Sequence, residues 1–224
     1  MRADASRGTA IVAGAGPRPA LPPVTRLLYL HGFRSSPQSF KARRMAAWLA
    51  QHRPDVEWLC PQLPPSPRAA IDDVMTRIHD WPPQATGIVG SSLGGFYAMV
   101  LAERLGPACR AVLLNPAVHP ARDLARYVGE LQAWHSDERF EFRAEDVTAL
   151  QALEPGPLTA PERCFAIIAK GDELLDWREM SQRVAGSHVH LIDGGDHSLS
   201  DFDDYLPEVL AFLGLGPGVE AKPR

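Results

Sequence analysis

The 224-residue sequence predicts a doubly wound α/β fold, a mostly parallel sheet of six to seven strands with helices on both faces and a small helical cap inserted in its second half. Three observations carry this expectation. Six short apolar runs of strand length alternate with stretches of helical periodicity, and parallel neighbours need the crossovers that such helices supply. One of these strands ends in a serine between glycines at the mouth of an apolar helix, and polar clusters follow two later strands, at the edge where open sheets gather their chemistry. A hydrophobic content of 45% in a chain of this length fills one substantial core but not two.

Residues 1–24 are rich in Ala, Gly, Arg and Pro without periodicity, and are expected to be a disordered leader. Residues 9–16 are too short and too glycine-rich for the apolar part of a signal peptide. The domain is expected over 25–213, with 214–224 as a flexible tail. Its first strand, 27–30, leads through the loop His31-Gly32-Phe33-Arg34-Ser35-Ser36 to a helix over 39–52. A strand at 56–60 and a proline-rich loop precede a helix over 68–80, where Ile71, Val74, Met75 and Ile78 form one apolar stripe. The glycine-flanked serine follows, with a helix running to about residue 105, and 111–114 is the next strand. Residues 117–160 break the rhythm: helical patches at 122–134 and 145–153, joined by the aromatic stretch 140–142, are expected to form the cap. Strands at 164–169 and 188–192, and helices at 177–184 and 202–213, complete the fold.

Composition excludes several function classes. With 23 basic and 27 acidic side chains, a net charge of −4 and no long basic run, the chain offers no footprint for nucleic acid. No apolar run is long enough to cross a bilayer. Cys60, Cys109 and Cys164 are widely spaced, odd in number and set in apolar text, so they read as reduced core residues of a cytoplasmic protein, not as a disulfide framework or zinc site. His188 and His190 share one face of a strand but lack a third ligand nearby in sequence, so no metal is expected. Asp201, Asp203 and Asp204 read as the acidic start of a helix. Oligomeric state is not legible.

The chemistry lies in Gly90-Ser91-Ser92-Leu93-Gly94, the G-x-S-x-G elbow in which a strained serine tops a strand-to-helix turn. Ser92 is the nucleophile expected; Ser91 would be flanked at two residues by Val89 and Leu93, where the elbow needs glycine. A serine hydroxyl needs a base, and His197 lies downstream on the loop Gly194-Gly195-Asp196-His197, whose glycines leave it free to swing towards Ser92. Asp172 is the orienting acid expected, with Glu173 and the helix-capping Asp176 as alternatives. The amides of Leu93 and Phe33 would meet an oxyanion. His31 is expected to serve the loop. Phe33, Arg34, Phe96, Leu131, Trp134 and Phe140 are the candidates for the substrate pocket.

The blocks Tyr29-Leu30-His31-Gly32-Phe33-Arg34-Ser35-Ser36-Pro37, Gly90 to Ala98, Asn115-Pro116-Ala117-Val118, Gly171 to Asp176 and Gly194 to Ser198 resemble the small bacterial YqiA-like esterases of the α/β-hydrolase superfamily over about residues 25–213. The elbow is superfamily-wide, whereas the H-G-F-x-S-S-P and N-P-A-V blocks together are more specific. The resemblance implies a compact α/β-hydrolase fold and a cofactor-free hydrolase of carboxylic esters or thioesters, with Ser92, Asp172 and His197 at the triad positions. A short or medium acyl ester is the substrate expected. An acyl-CoA thioesterase, with Arg34, Arg122 or Arg126 meeting phosphates, is one alternative, and a non-catalytic binding protein on the same fold is another.

Overall fold

The computed structural model describes residues 10–11, 22–133, 137 and 139–216. Its elements run β1 (Ala10–Ile11), β2 (Arg26–Leu30), α1 (Phe40–His52), β3 (Glu57–Leu59), α2 (Pro67–Arg77), β4 (Thr86–Ser91), α3 (Leu93–Leu105) and β5 (Arg110–Leu114). The insert follows as α4 (Pro120–Leu124), a turn of 3-10 helix (Ala125–Tyr127), β6 (Gly129–Gln132), β7 (Arg139–Phe142) and α5 (Ala144–Leu153). Then come β8 (Cys164–Ala169), α6 (Trp177–Arg183), β9 (His188–Ile192) and α7 (Phe202–Phe212).

The main sheet has the order β1-β9-β8-β5-β4-β2-β3, with every pair parallel except β1 with β9. Side chains alternate across the strands and split the core in two. Leu27, Tyr29, Val89, Val112 and Ile167 face Met45 and Leu49 of α1 and Phe202 and Val209 of α7. Leu28, Leu30, Ile88, Leu113 and Ile168 face α2, α3 and α6 through residues such as Ile71, Phe96 and Met180. The first ten residues of α3 are all buried, which is why that helix reads apolar all round.

Two expectations need correction. Ala10–Ile11, within the stretch read as a leader, pairs antiparallel with β9 and adds a seventh strand; the remainder of 1–21 and residues 217–224 lie outside the described residues. Within the insert, the helical patch expected at 122–134 is a short helix followed by one arm of a β-hairpin. Gly129, at φ 138°, ends the helical course, and from there polar and apolar residues alternate with period two in both arms, setting Leu131 opposite Phe140.

Candidate active site

Ser92 stands alone between β4 and α3 with φ 55° and ψ −120°, a backbone region that non-glycine residues seldom occupy. The glycines around it are required by contact. A Cβ on Gly90 would lie 2.0 Å from the Gly94 carbonyl oxygen, and one on Gly94 would lie 2.0 Å from that of Leu30. α3 is thereby drawn against the sheet and lifts Ser92 clear of it. Leu93 opens α3, so its N–H has no intrahelical acceptor, and Phe33 sits in the turn after β2. Among the described residues neither amide has an acceptor, and both residues line the cavity that Ser92 faces. Ser91, one step back along β4, is buried at the α1 side of the same cavity.

The structure brings together Ser92, His197 and Asp172. His197 Nε2 lies 3.0 Å from Ser92 Oγ, and its Nδ1 donates to Asp172 Oδ2 at 2.7 Å, which leaves Nε2 as the acceptor facing the serine hydroxyl. The Asp172 side chain is wholly buried, and its other oxygen accepts from the amides of Leu174 (2.8 Å) and Leu175 (2.9 Å). The competing carboxylates have other work. Glu173 Oε2 accepts from the His197 backbone amide at 3.0 Å, and Asp176 caps α6 by accepting from Arg178 N at 2.9 Å.

The histidine loop is pinned, not loose. Gly194 and Gly195 have φ of 89° and 76°, and a Cβ on Gly171 would lie 2.4 Å from the Gly195 oxygen, so these glycines serve a left-handed turn and a close approach. Asn115 is the clamp. Fully buried at φ 42°, it donates from Nδ2 to the carbonyls of Asp196 (3.0 Å) and His197 (3.2 Å) and accepts from Ala169 N at 2.8 Å. Lys41 of α1 adds a third tie, donating to the Ser198 carbonyl at 2.5 Å. The sequence named neither residue for a role. The signals present were an asparagine directly after a strand, where αL geometry suits it, and a lysine on the apolar stripe of an amphipathic helix.

A cavity of about 980 Å³ opens over Ser92 and His197, lined by Phe33, Arg34, Leu124, Tyr127 and Leu175 among others. Of the pocket candidates, Phe33 and Arg34 are there. Phe96 is not: it is fully buried in the core beneath α3, with its ring against Tyr97. Leu131 and Phe140 face each other across the hairpin, with Phe140 edge-on to Phe33 at 6.1 Å and bordering a separate hollow between α2 and α5. They support the wall and do not line the cavity. Trp134 lies outside the described residues. Arg34, at φ 61°, donates to the Gln132 carbonyl at 2.7 Å and ties the hairpin to the loop after β2. Arg122 is engaged by Glu179 at 2.6 and 2.8 Å, while Arg126 lines the cavity.

The remaining candidates have structural partners. His31 accepts from Leu63 N on Nε2 at 3.1 Å and donates from Nδ1 to the Gly32 carbonyl. His190 pairs with Glu208 at 2.8 Å, and the His188 ring packs edge-on to Phe212. Asp201 accepts from the Tyr205 hydroxyl, and Asp203 pairs with Arg44 at 2.6 Å. Burial pushes all three cysteine thiols up to about 12, which leaves no thiolate to compete with the serine. Among the described residues no group of three or more His, Cys, Asp or Glu is placed to hold a metal ion, and no helix is long and apolar enough to cross a membrane.

A parallel sheet of this order, wrapped by helices, with a serine elbow after β4 and a histidine after the last strand, is the α/β-hydrolase fold. Residues 26–214 match the family described as "Uncharacterised protein family (UPF0227)", the YqiA-like family, and the chain belongs to it. Solved structures agree at the level of fold. A protein from Agrobacterium vitis S4 assigned as a hydrolase superposes with a TM-score of 0.67 at 16% identity, covering 93% of this chain and 98% of its own. Est1E from Butyrivibrio proteoclasticus, solved with ferulic acid bound, gives 0.61 at 13% identity, covering 88% and 90%. The Pyrococcus furiosus esterase Pf2001 gives 0.56 at 18% identity, covering 85% and 80%.

Proposed function

We propose that the protein is a serine esterase that hydrolyses carboxylic esters of short or medium acyl chains through an acyl-enzyme. The observation that carries this reading is the unbroken relay from Ser92 Oγ through His197 to the buried carboxylate of Asp172, at the floor of an open cavity. Ser92 Oγ attacks the acyl carbon while its proton passes to His197 Nε2. The carbonyl electron pair collects on oxygen, where the Phe33 and Leu93 amides receive it. The tetrahedral adduct then breaks its bond to the alcohol oxygen, which takes the proton from His197. Water repeats the sequence on the acyl-enzyme, releasing the acid and restoring Ser92. Asp172 keeps the proton of the resting imidazole on Nδ1 and stabilises the imidazolium that forms. The insert between β5 and β8 acts as a cap, supplying Leu124, Arg126 and Tyr127 to the cavity wall.

A thioester substrate would use the same relay. It is favoured by Arg126 on the cavity wall, and matched oxygen and thio esters separate the two readings. The test of the main reading is labelling by a fluorophosphonate, followed by turnover of an activated ester. Ser92→Ala is expected to lose the label and at least about 10⁴ in rate, while Ser91→Ala still labels. Equal loss in both variants, with both folded, would refute the assignment.

A further inference from the structure

On the α1 face of the sheet the cavity is walled by Tyr29, Ser39, Phe40, Lys41 and Ser91, a lobe whose polar groups do not suit an apolar acyl chain. Lys41 is the charged member of the buried stripe Lys41, Met45 and Leu49, and is only 9% exposed. Its ammonium has the Ser198 carbonyl as its acceptor among the described residues, which leaves two N–H donors unused. Among the described residues no carboxylate lies within ion-pair distance of it. Asp196 acts on it from further away and holds Ser200 N at 3.1 Å. Burial lowers Lys41 to about 8, so it remains mostly charged at neutral pH.

Three hydroxyls share this lobe. Tyr29 is fully buried, and its hydroxyl lies close enough to those of Ser39 and Ser91 for them to act on it; among the described residues no hydrogen bond of good geometry closes on the Tyr29 or the Ser39 hydroxyl. All four side chains line the cavity that holds Ser92 and His197. An alkyl chain seated there would leave a cation and buried hydroxyls unsatisfied, which is costly. An oxyanion would accept from the ammonium and the hydroxyls together.

We infer that this lobe recognises an anionic group of the substrate, a carboxylate or a phosphate, so that the preferred substrate is an ester carrying an oxyanion within reach of its scissile bond. The inference rests on the serine-esterase reading and names its substrate class.

Two sets of matched esters test it. In one, 4-nitrophenyl esters of equal chain length end in either a methyl group or a carboxylate. In the other, one acyl chain is carried by a neutral alcohol and by the same alcohol phosphorylated. The ratio of kcat/KM, charged over neutral, is expected to reach about tenfold in one set, which tells an acyl carboxylate from a leaving-group phosphate. Lys41→Met is expected to lower that ratio about tenfold, mainly through KM. Tyr29→Phe and Ser39→Ala, each removing one hydroxyl, are expected to lower it less, and they decide the matter if Lys41→Met does not fold. A wild type that favours the neutral ester in both sets, as a lobe holding only water would, overturns the inference, as does a ratio that none of the folded variants alters. If the wild type hydrolyses none of these esters, the esterase reading fails by itself. Calorimetric binding of the uncleaved charged and neutral esters then decides the lobe, a charged preference supporting it and equal binding sinking it.

Discussion

Asp172 meets three hydrogen-bond donors at once: His197 Nδ1 and the amides of Leu174 and Leu175. A carboxylate satisfies all three, whereas an asparagine must turn its NH₂ either towards the two amides or towards the imidazole. Asp172→Asn is therefore expected to fold and to lose roughly 10³ to 10⁴ in turnover through the wrong histidine tautomer. Asp176→Asn exchanges one good helix cap for another and is expected to cost only a few-fold. Turnover that collapses in Asp176→Asn but survives in Asp172→Asn would move the acid. At this scale the sequence pointed to candidates whose spacing is local or whose chain order follows the elbow, and the structure brings Ser92, His197 and Asp172 together. Asn115 and Lys41 escaped notice in the sequence because their partners lie 54, 81, 82 and 157 residues away, and no local pattern reports a contact of that span.

Among the elements, the strands and helices of the core were legible because buried runs and amphipathic stripes are long enough to repeat. The insert was not. Its hairpin arms are four residues each, so a period of two has little room to declare itself against neighbouring helical text. The junction of β4, α3 and β2 is the opposite case, where a glycine pattern read from sequence corresponds to backbone contact. Gly94→Ala would set a Cβ 2.0 Å from the Leu30 oxygen, and the surroundings are backbone that cannot step aside. Its expected cost is on the order of 3 kcal/mol or more, seen as a large fall in Tm or as failure to fold. Gly156→Ala, where a Cβ meets nothing within 4 Å, is expected to stay within about 0.5 kcal/mol of wild type. Similar Tm values for the two variants would show that the close approach at Gly94 is not a constraint.

For the molecule as a whole, Lys41 links stability to pH. Its proton is held with a value of about 8 in the folded protein against an ordinary 10.5, so between those values the unfolded chain binds more protons. Wild-type stability is therefore expected to gain on that of Lys41→Met as pH rises through this window. The gain is absent below about 8, complete above 10.5 and on the order of 3 kcal/mol in total. Denaturant melts of both proteins across that range check it, and parallel curves would mean the ammonium is better solvated than its burial implies. The asparagine clamp bears on how long the molecule lasts. Asparagine side chains are lost with age when the backbone nitrogen of the following residue attacks the side-chain amide and closes a succinimide. That nitrogen must first shed a hydrogen, and Pro116 has none. Asn115 is the chain's single asparagine, so the commonest chemical clock in stored protein has no starting point here. Peptide mass mapping of an aged sample is expected to find residue 115 intact whatever activity has been lost, and aspartate at that position would contradict this.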